Sequence, residues 1–160
     1  MSVPAAVSEL FDAELRERLV KLRRDLHQHP ELAFKEERTS ARLSTELRAL
    51  SLTSIERVAG TGLVARVSGR DPKAPVVAVR GDIDALPIQE ATGLEFSSKN
   101  DGVMHACGHD VHATWAIGAA GLLARNPAQG DVLVVLQPAE EIGDGAAAIL
   151  KSGALDEAKA

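Results

Sequence analysis

A chain of 160 residues, 45% hydrophobic and 26% charged, is long enough for one domain with a sizeable core. Its formal net charge of −5 gives no electrostatic reason to expect a nucleic-acid partner, and no apolar run approaches the roughly 20 residues of a membrane-spanning helix. The single cysteine excludes an internal disulfide, and the N-terminus lacks the basic start and apolar run of a secretory signal, so a soluble cytoplasmic protein is expected.

In chain order, Leu15, Leu19, Leu22 and Leu26 recur at steps of four, three and four. This is the stripe of an amphipathic helix, which Ser8 or Asp12 would cap and Pro30 would end. The basic residues of "RERLVKLRRD" interleave with acids and leucines and read as its solvated face. A second helical pattern runs from about Glu36 to Leu50, with Leu43, Leu47 and Leu50 on one face. The texture then changes to β-branched residues and glycine. Leu63–Ser68 and Val76–Arg80 read as strands paired with each other, antiparallel, around the turn chemistry of "GRDPKAP". From Asp110 to about Arg125 the pattern is helical again, with Val111, Trp115, Ile117, Leu122 and Leu123 expected inside. "DVLVVLQP" is a short unbroken apolar run, the pattern of a central strand buried on both faces. Gly145 to about Lys151 forms a last helix, with Gly153 as its stop. This order predicts an α/β fold, a layered sheet flanked by helices. A small sheet that is apolar on both faces is also expected to continue past "LDEAKA".

Polar chemistry concentrates in three segments. "GDIDALP" carries Asp82 and Asp84 after one expected strand, and "QPAEE" carries Glu140 and Glu141 after the other. Between them, "MHACGHDVHATW" holds His105, Cys107, His109, Asp110 and His112, three of the five histidines and the only cysteine. Ligands of open α/β sheets collect beyond the carboxyl ends of strands, so two strands running the same way would bring all three segments to one edge. Four carboxylates gathered there would raise one another's pKa, which a divalent cation relieves. Thiolate, imidazole and carboxylate together suit Mn, Zn, Co or Ni better than Mg or Ca. Gly108 can turn Cys107 and His109 toward one centre. Taken singly, each piece has a plainer reading. Asp-x-Asp can be a turn or a cap, a Glu pair a piece of surface, and a buried cysteine a small hydrophobe; His105 and His112 can be packing residues or supports for ligands. A thiol nucleophile is the chemical alternative, because a helix N-terminus after Cys107 would lower its pKa. That alternative leaves both carboxylate pairs unused. "AGTGLVA" has the glycine spacing of a dinucleotide loop but leads into a strand, and no Gly-x-Ser-x-Gly elbow is present.

The stretches "LRRDLHQHPELAFKEERTS", "GTGLVA", "VAVRGDIDALPI", "MHACGHDVHAT" and "QPAEEIGDGA" occur together, in order, over nearly the whole chain. In them the sequence resembles the M20 metallopeptidase family, in the amidohydrolase branch of hippurate hydrolases, N-acyl-amino-acid amidohydrolases and plant auxin-conjugate hydrolases. The resemblance implies two divalent metal ions (Mn, Zn, Co or Ni) and metal-assisted hydrolysis of the amide bond of an N-acyl amino acid. It carries over Cys107, His109 and Glu141 as metal ligands, Glu140 as the general base and Asp84 as the acid that supports the site. His27 and His29 of "HQHPE" become structural or peripheral. Asp82 stands where relatives outside this branch have a histidine ligand, and its role stays open.

The implied fold is a zinc-aminopeptidase-like catalytic domain. The family pattern also includes further histidine ligands, which would fall beyond Ala160, and an inserted lid and dimerisation domain. Residues 1–160 are therefore expected to be the N-terminal part of a catalytic domain, without the lid or the C-terminal segment and with an incomplete metal site. Activity is expected of the longer chain, and the 160 residues alone are expected to be inactive. The expected partner is a small N-acyl amino acid, with no nucleic acid or membrane and with a homo-oligomer as one expected state. A non-catalytic fragment or interaction module of the same family is the alternative.

Overall fold

A computed structural model describes residues 5–158. The chain forms α1 (Ala5–Leu10), α2 (Ala13–Gln28), α3 (Glu37–Ala49), β1 (Ile55–Val58), β2 (Gly62–Val67), β3 (Val77–Asp82), α4 (His109–Arg125), β4 (Val132–Gln137) and α5 (Gly145–Lys151). The leucine stripe of α2 is fully inside. Asp12 caps that helix, its Oδ1 accepting the Leu15 N–H at 2.8 Å, whereas Ser8 falls within α1. In α3, Leu43 and Leu47 are buried, while Leu50, one residue past the last turn, is only half-buried. Among the described residues, no helix is long and apolar enough to cross a membrane.

The four strands lie in the order β1-β2-β4-β3. β2 pairs antiparallel with β1 and with β4, and β3 pairs parallel with β4, from Val77 opposite Val132 to Asp82 opposite Gln137. The expected direct pairing of β2 with β3 is therefore wrong, because β4 is inserted between them. The physical reason lies in burial. All six residues of β4 are buried, so it needs a neighbour on each side and a layer on each face. β3 leaves Val77 46% exposed and takes the edge. Alternate residues of β4 serve the two faces. Val132, Val134 and Leu136 face the core of α2, α3 and α4, while Leu133 and Val135 pack with Val58, Val64 and Ile149 of α5 on the other side.

A parallel pair needs a crossover, and α4 supplies it. It lies very close to the sheet: a Cβ at Gly81 would stand 2.6 Å from the carbonyl oxygen of His112. The buried face of α4 is accordingly built of small residues, Ala113, Ala116 and Ala120 around Ile117. Trp115 was expected inside and is 67% exposed. Two residues on from Ala113 it points roughly 200° away from the sheet, and the tight contact leaves no room for an indole. Val111, Leu122 and Leu123 are half-buried.

Candidate metal centre

Because β3 and β4 run parallel, their carboxyl ends open on the same edge. Asp82 ends β3, Asp84 follows two residues later, and Glu140 and Glu141 follow β4. α4 begins beside them, capped by Gly108 in the left-handed region at φ +86, so that Cys107 and His109 flank a turn that a glycine makes readily. The three sequence segments expected to converge do converge.

His109 is the centre of the arrangement. It is buried, and its Nδ1–H donates to the backbone oxygen of Asp84 at 2.9 Å, with Asp84 Oδ1 at 3.2 Å. A carboxylate only accepts, so this partner fixes the proton on Nδ1 and leaves the Nε2 lone pair facing outward. Around Nε2 stand Asp82 Oδ1 at 3.6 Å, Glu141 Oε1 at 3.6 Å and Glu140 Oε2 at 3.7 Å. These gaps are too long for hydrogen bonds. They match the roughly 3.3–3.8 Å that separates donor atoms sharing one tetrahedral ion at first-row bond lengths. Cys107, His109 and Glu141 each bring a ligand atom within 4.8 Å of the others. Glu141 Oε1 is buried without a hydrogen-bond partner among the described residues, as a ligand atom would be. The donor set and its spacing therefore fit a divalent transition metal. Asp82, His109 and His112 form a second, overlapping group that uses the same histidine. There, His112 Nδ1–H already donates to Asp82 Oδ1 at 2.7 Å, and Arg80 pairs with the other oxygen at 3.1 Å.

The electrostatics follow from this crowding. Burial works against the charged forms of both Asp84 and His109. Their mutual hydrogen bond reverses the outcome, together with the N–H groups of Glu141 and Glu140 for the acid and the charges of Asp82, Asp84 and Glu141 for the imidazole. Asp84 is held below its ordinary range and His109 above its own. The Cys107 thiol is raised by desolvation and by the carboxylates of Glu141, Glu140 and Asp82. The thiol-nucleophile alternative needed the opposite shift. The helix N-terminus is present, but three nearby acids outweigh it.

The other histidines play supporting parts. His27 Nδ1–H donates to Asp110 Oδ2 at 2.7 Å, and Arg23 pairs with the same oxygen at 2.9 Å, which ties α2 to the first turn of α4. His29 Nδ1–H donates to the Asp25 carbonyl at 2.8 Å. His105 is buried with both ring nitrogens unpartnered, and burial pushes its pKa down to about 4, so it stands neutral behind the site. Sequence reasoning missed Glu36. This buried side chain accepts the Ala139 N–H at 2.9 Å, directly before the Glu pair. Nothing in "FKEERTS" separates this acid from its exposed neighbours Lys35 and Glu37, so only the packing reveals it.

The model of peptidase family M20/M25/M40 matches residues 78–160, which include all three site segments. The chain is 45% identical over 151 residues to the N-acetylcysteine deacetylase of Bacillus subtilis (strain 168), covering 92% of this chain and 39% of that protein. It is 45% identical over 144 residues to the IAA-amino acid hydrolase ILR1-like 6 of Arabidopsis thaliana, covering 89% and 31%. Among solved structures, the YXEP protein of Bacillus subtilis, described as a dinuclear metal binding peptidase from the M20 family, superposes with a TM-score of 0.88 at 46% identity, covering 92% of this chain and 42% of that one. The chain thus spans about two fifths of the length of these relatives or less.

Proposed function

The chain belongs to peptidase family M20/M25/M40, and from that membership we propose that it supplies the cation-holding edge of a metal-dependent amidohydrolase that cleaves N-acyl amino acids. The observation that carries the proposal is the gathering of Cys107, His109 and Glu141 within 4.8 Å, with the Glu140 carboxylate 3.7 Å from His109 Nε2. A divalent cation in this site supplies positive charge that acidifies water and polarises an amide carbonyl.

The residues divide the remaining work. Asp84 holds the Nδ1–H of His109 and so presents Nε2 as a donor. Glu141 and Cys107 complete the side-chain donors of this edge. Glu140, with its side chain 40% exposed, is free to take a proton from water and return it to the leaving amine. The products are a carboxylate and a free amino acid. The relatives are longer than the matched span, and we assign the remaining ligands of a two-metal centre, the lid and full turnover to sequence outside residues 1–160. Mn, Zn, Co or Ni as the metal and the cytoplasm as the location complete the proposal, consistent with the mixed sulfur, nitrogen and oxygen donors and one free cysteine.

Titration of the chain with Co(II) tests the site. A thiolate-to-cobalt charge-transfer band should appear, and Cys107→Ser should remove it; no band, or a band that survives the substitution, would sink the assignment. In a protein carrying this sequence at the relatives' full length, Glu140→Gln is expected to lower kcat on N-acyl amino acids by about 10²–10⁴-fold while leaving metal content intact.

A further inference from the structure

The turn that delivers Glu140 and Glu141 is held from a distant part of the chain. Glu36, at the N-cap of α3, is 0% exposed. One of its oxygens accepts the Ala139 N–H at 2.9 Å and the other accepts the hydroxyl of Thr61, from the β1–β2 turn. Both donors are neutral. Ala139 is itself buried and adopts φ +51, the left-handed region that disfavours a residue with a Cβ. The turn then closes on itself: the Gly143 N–H donates to the Glu140 carbonyl at 2.8 Å and the Gly145 N–H to the Ala139 carbonyl at 3.1 Å. It is so tight that a Cβ at Gly145 would stand 1.6 Å from the Pro138 oxygen. On the far side, the Glu141 N–H donates to Asp84 Oδ2 at 3.0 Å. Without Glu36, the buried N–H of a strained residue has no acceptor, and the left-handed conformation loses what offsets its cost.

We propose that Glu36 is the positioning residue of the Glu140–Glu141 turn. By accepting the Ala139 N–H it fixes the left-handed residue directly before the acidic pair, and with it the direction in which both acidic side chains leave the turn toward His109. Glu36 acts through backbone and touches neither cation nor substrate. The consequence for metal binding rests on the reading of Glu141 given above; the clamp does not.

Two substitutions separate positioning from general stability. Glu36→Gln keeps both bonds, its amide oxygen accepting from Ala139 and its NH2 donating to Thr61. Glu36→Ala removes both, and Glu36→Met removes them while filling nearly the same volume, in case the alanine variant does not fold. Amide hydrogen exchange is followed in the 160-residue chain well below its unfolding midpoint. In Glu36→Ala or Glu36→Met the Ala139 and Glu141 amides should exchange about tenfold faster relative to Val134 in β4, and in Glu36→Gln they should match the parent. Equal acceleration at Val134, or none at Glu141, would overturn the proposal. Co(II) affinity should fall about tenfold in the same two variants and persist in Glu36→Gln; unchanged affinity would overturn the link to the site. If the parent chain binds no Co(II), the metal site fails, and the exchange comparison still decides the clamp.

Discussion

The apolar layer between the sheet and α2, α3 and α4 and the polar edge beyond β3 and β4 are equally closed to water at their centres: Leu22 and Asp84 are each 0% exposed. Burial means opposite things in the two places. Leu22 gains from leaving water, and a fully buried leucine is worth about 1.5–3 kcal/mol. Asp84 loses hydration and is retained because it accepts the Glu141 N–H and holds the His109 ring. The first region stabilises itself by area and needs only apolar groups of the right volume; the second is stable only while each group keeps its partner. A site that gathers carboxylates needs the first kind of region as a rigid backing. The His27–Asp110–Arg23 cluster joins the two, since it runs from the buried side of α2 to the turn beside His109.

Four measurements test this difference. Leu22→Ala should cost about 2–5 kcal/mol of stability in denaturant unfolding. Its Co(II) affinity should be unchanged wherever the variant is folded, and a parallel loss of affinity would mean that the two regions are not separable. Asp84→Ala, which strands the Glu141 N–H and leaves the His109 Nδ1–H only the backbone carbonyl of residue 84, should cost about 1–3 kcal/mol, with affinity falling in the folded protein.

Acid and base should then act on the edge, although acid also reaches Asp25 and Asp131, whose carboxyls are held low elsewhere in the fold. Asp84 is depressed from 3.8, so its contribution is present above that pH and is lost as pH falls through the lower folded value. His109 is raised from 6.5, so its contribution is complete below 6.5 and is lost as pH rises through the higher folded value. Both contributions are complete between these limits, while buried His105, lowered to about 4, favours the fold more as pH rises from about 4 to 6.5, so the metal-free chain is expected to be most stable toward the upper limit and to weaken on the alkaline side. Co(II) should reverse the alkaline slope, because it replaces the proton on His109 Nε2 and takes Cys107 as thiolate. Denaturation curves across pH with a chelator and with Co(II) test both signs. The smallest effect is expected from the largest side chain on α4: Trp115→Ala should stay within about 0.5 kcal/mol of the parent, since its indole is mostly in solvent.

Periodicity and residue chemistry were legible in advance to different degrees. The stripe Leu15, Leu19, Leu22 and Leu26 located α2, and the unbroken apolar run from Val132 located a central strand, because both patterns are local consequences of burial. The pairing of β2 with β4 rather than β3 was not legible, because adjacency in sequence is a weak guide to adjacency in a sheet that a crossover helix reorders. Trp115 lies outside despite its hydrophobicity, because the α4–Gly81 contact admits only small residues. The site was legible as a set of donors, and its geometry was not. The thiol-nucleophile alternative needs a lowered Cys107 pKa from the helix N-terminus, and desolvation together with the carboxylates of Glu141, Glu140 and Asp82 raises it instead.

Local pattern thus located α2 to α5 and β2 to β4, though neither α1 nor β1, and placed thiol, imidazole and carboxylate donors at the ends of elements. Those properties depend on neighbours a few residues apart. Tertiary structure alone decided the strand order, the 3.6–3.7 Å ring of acids around His109 Nε2, the direction of each pKa shift and the task of Glu36. Each of these is a sum over groups that lie far apart along the chain, and a sum of that kind has no value until the fold sets the distances.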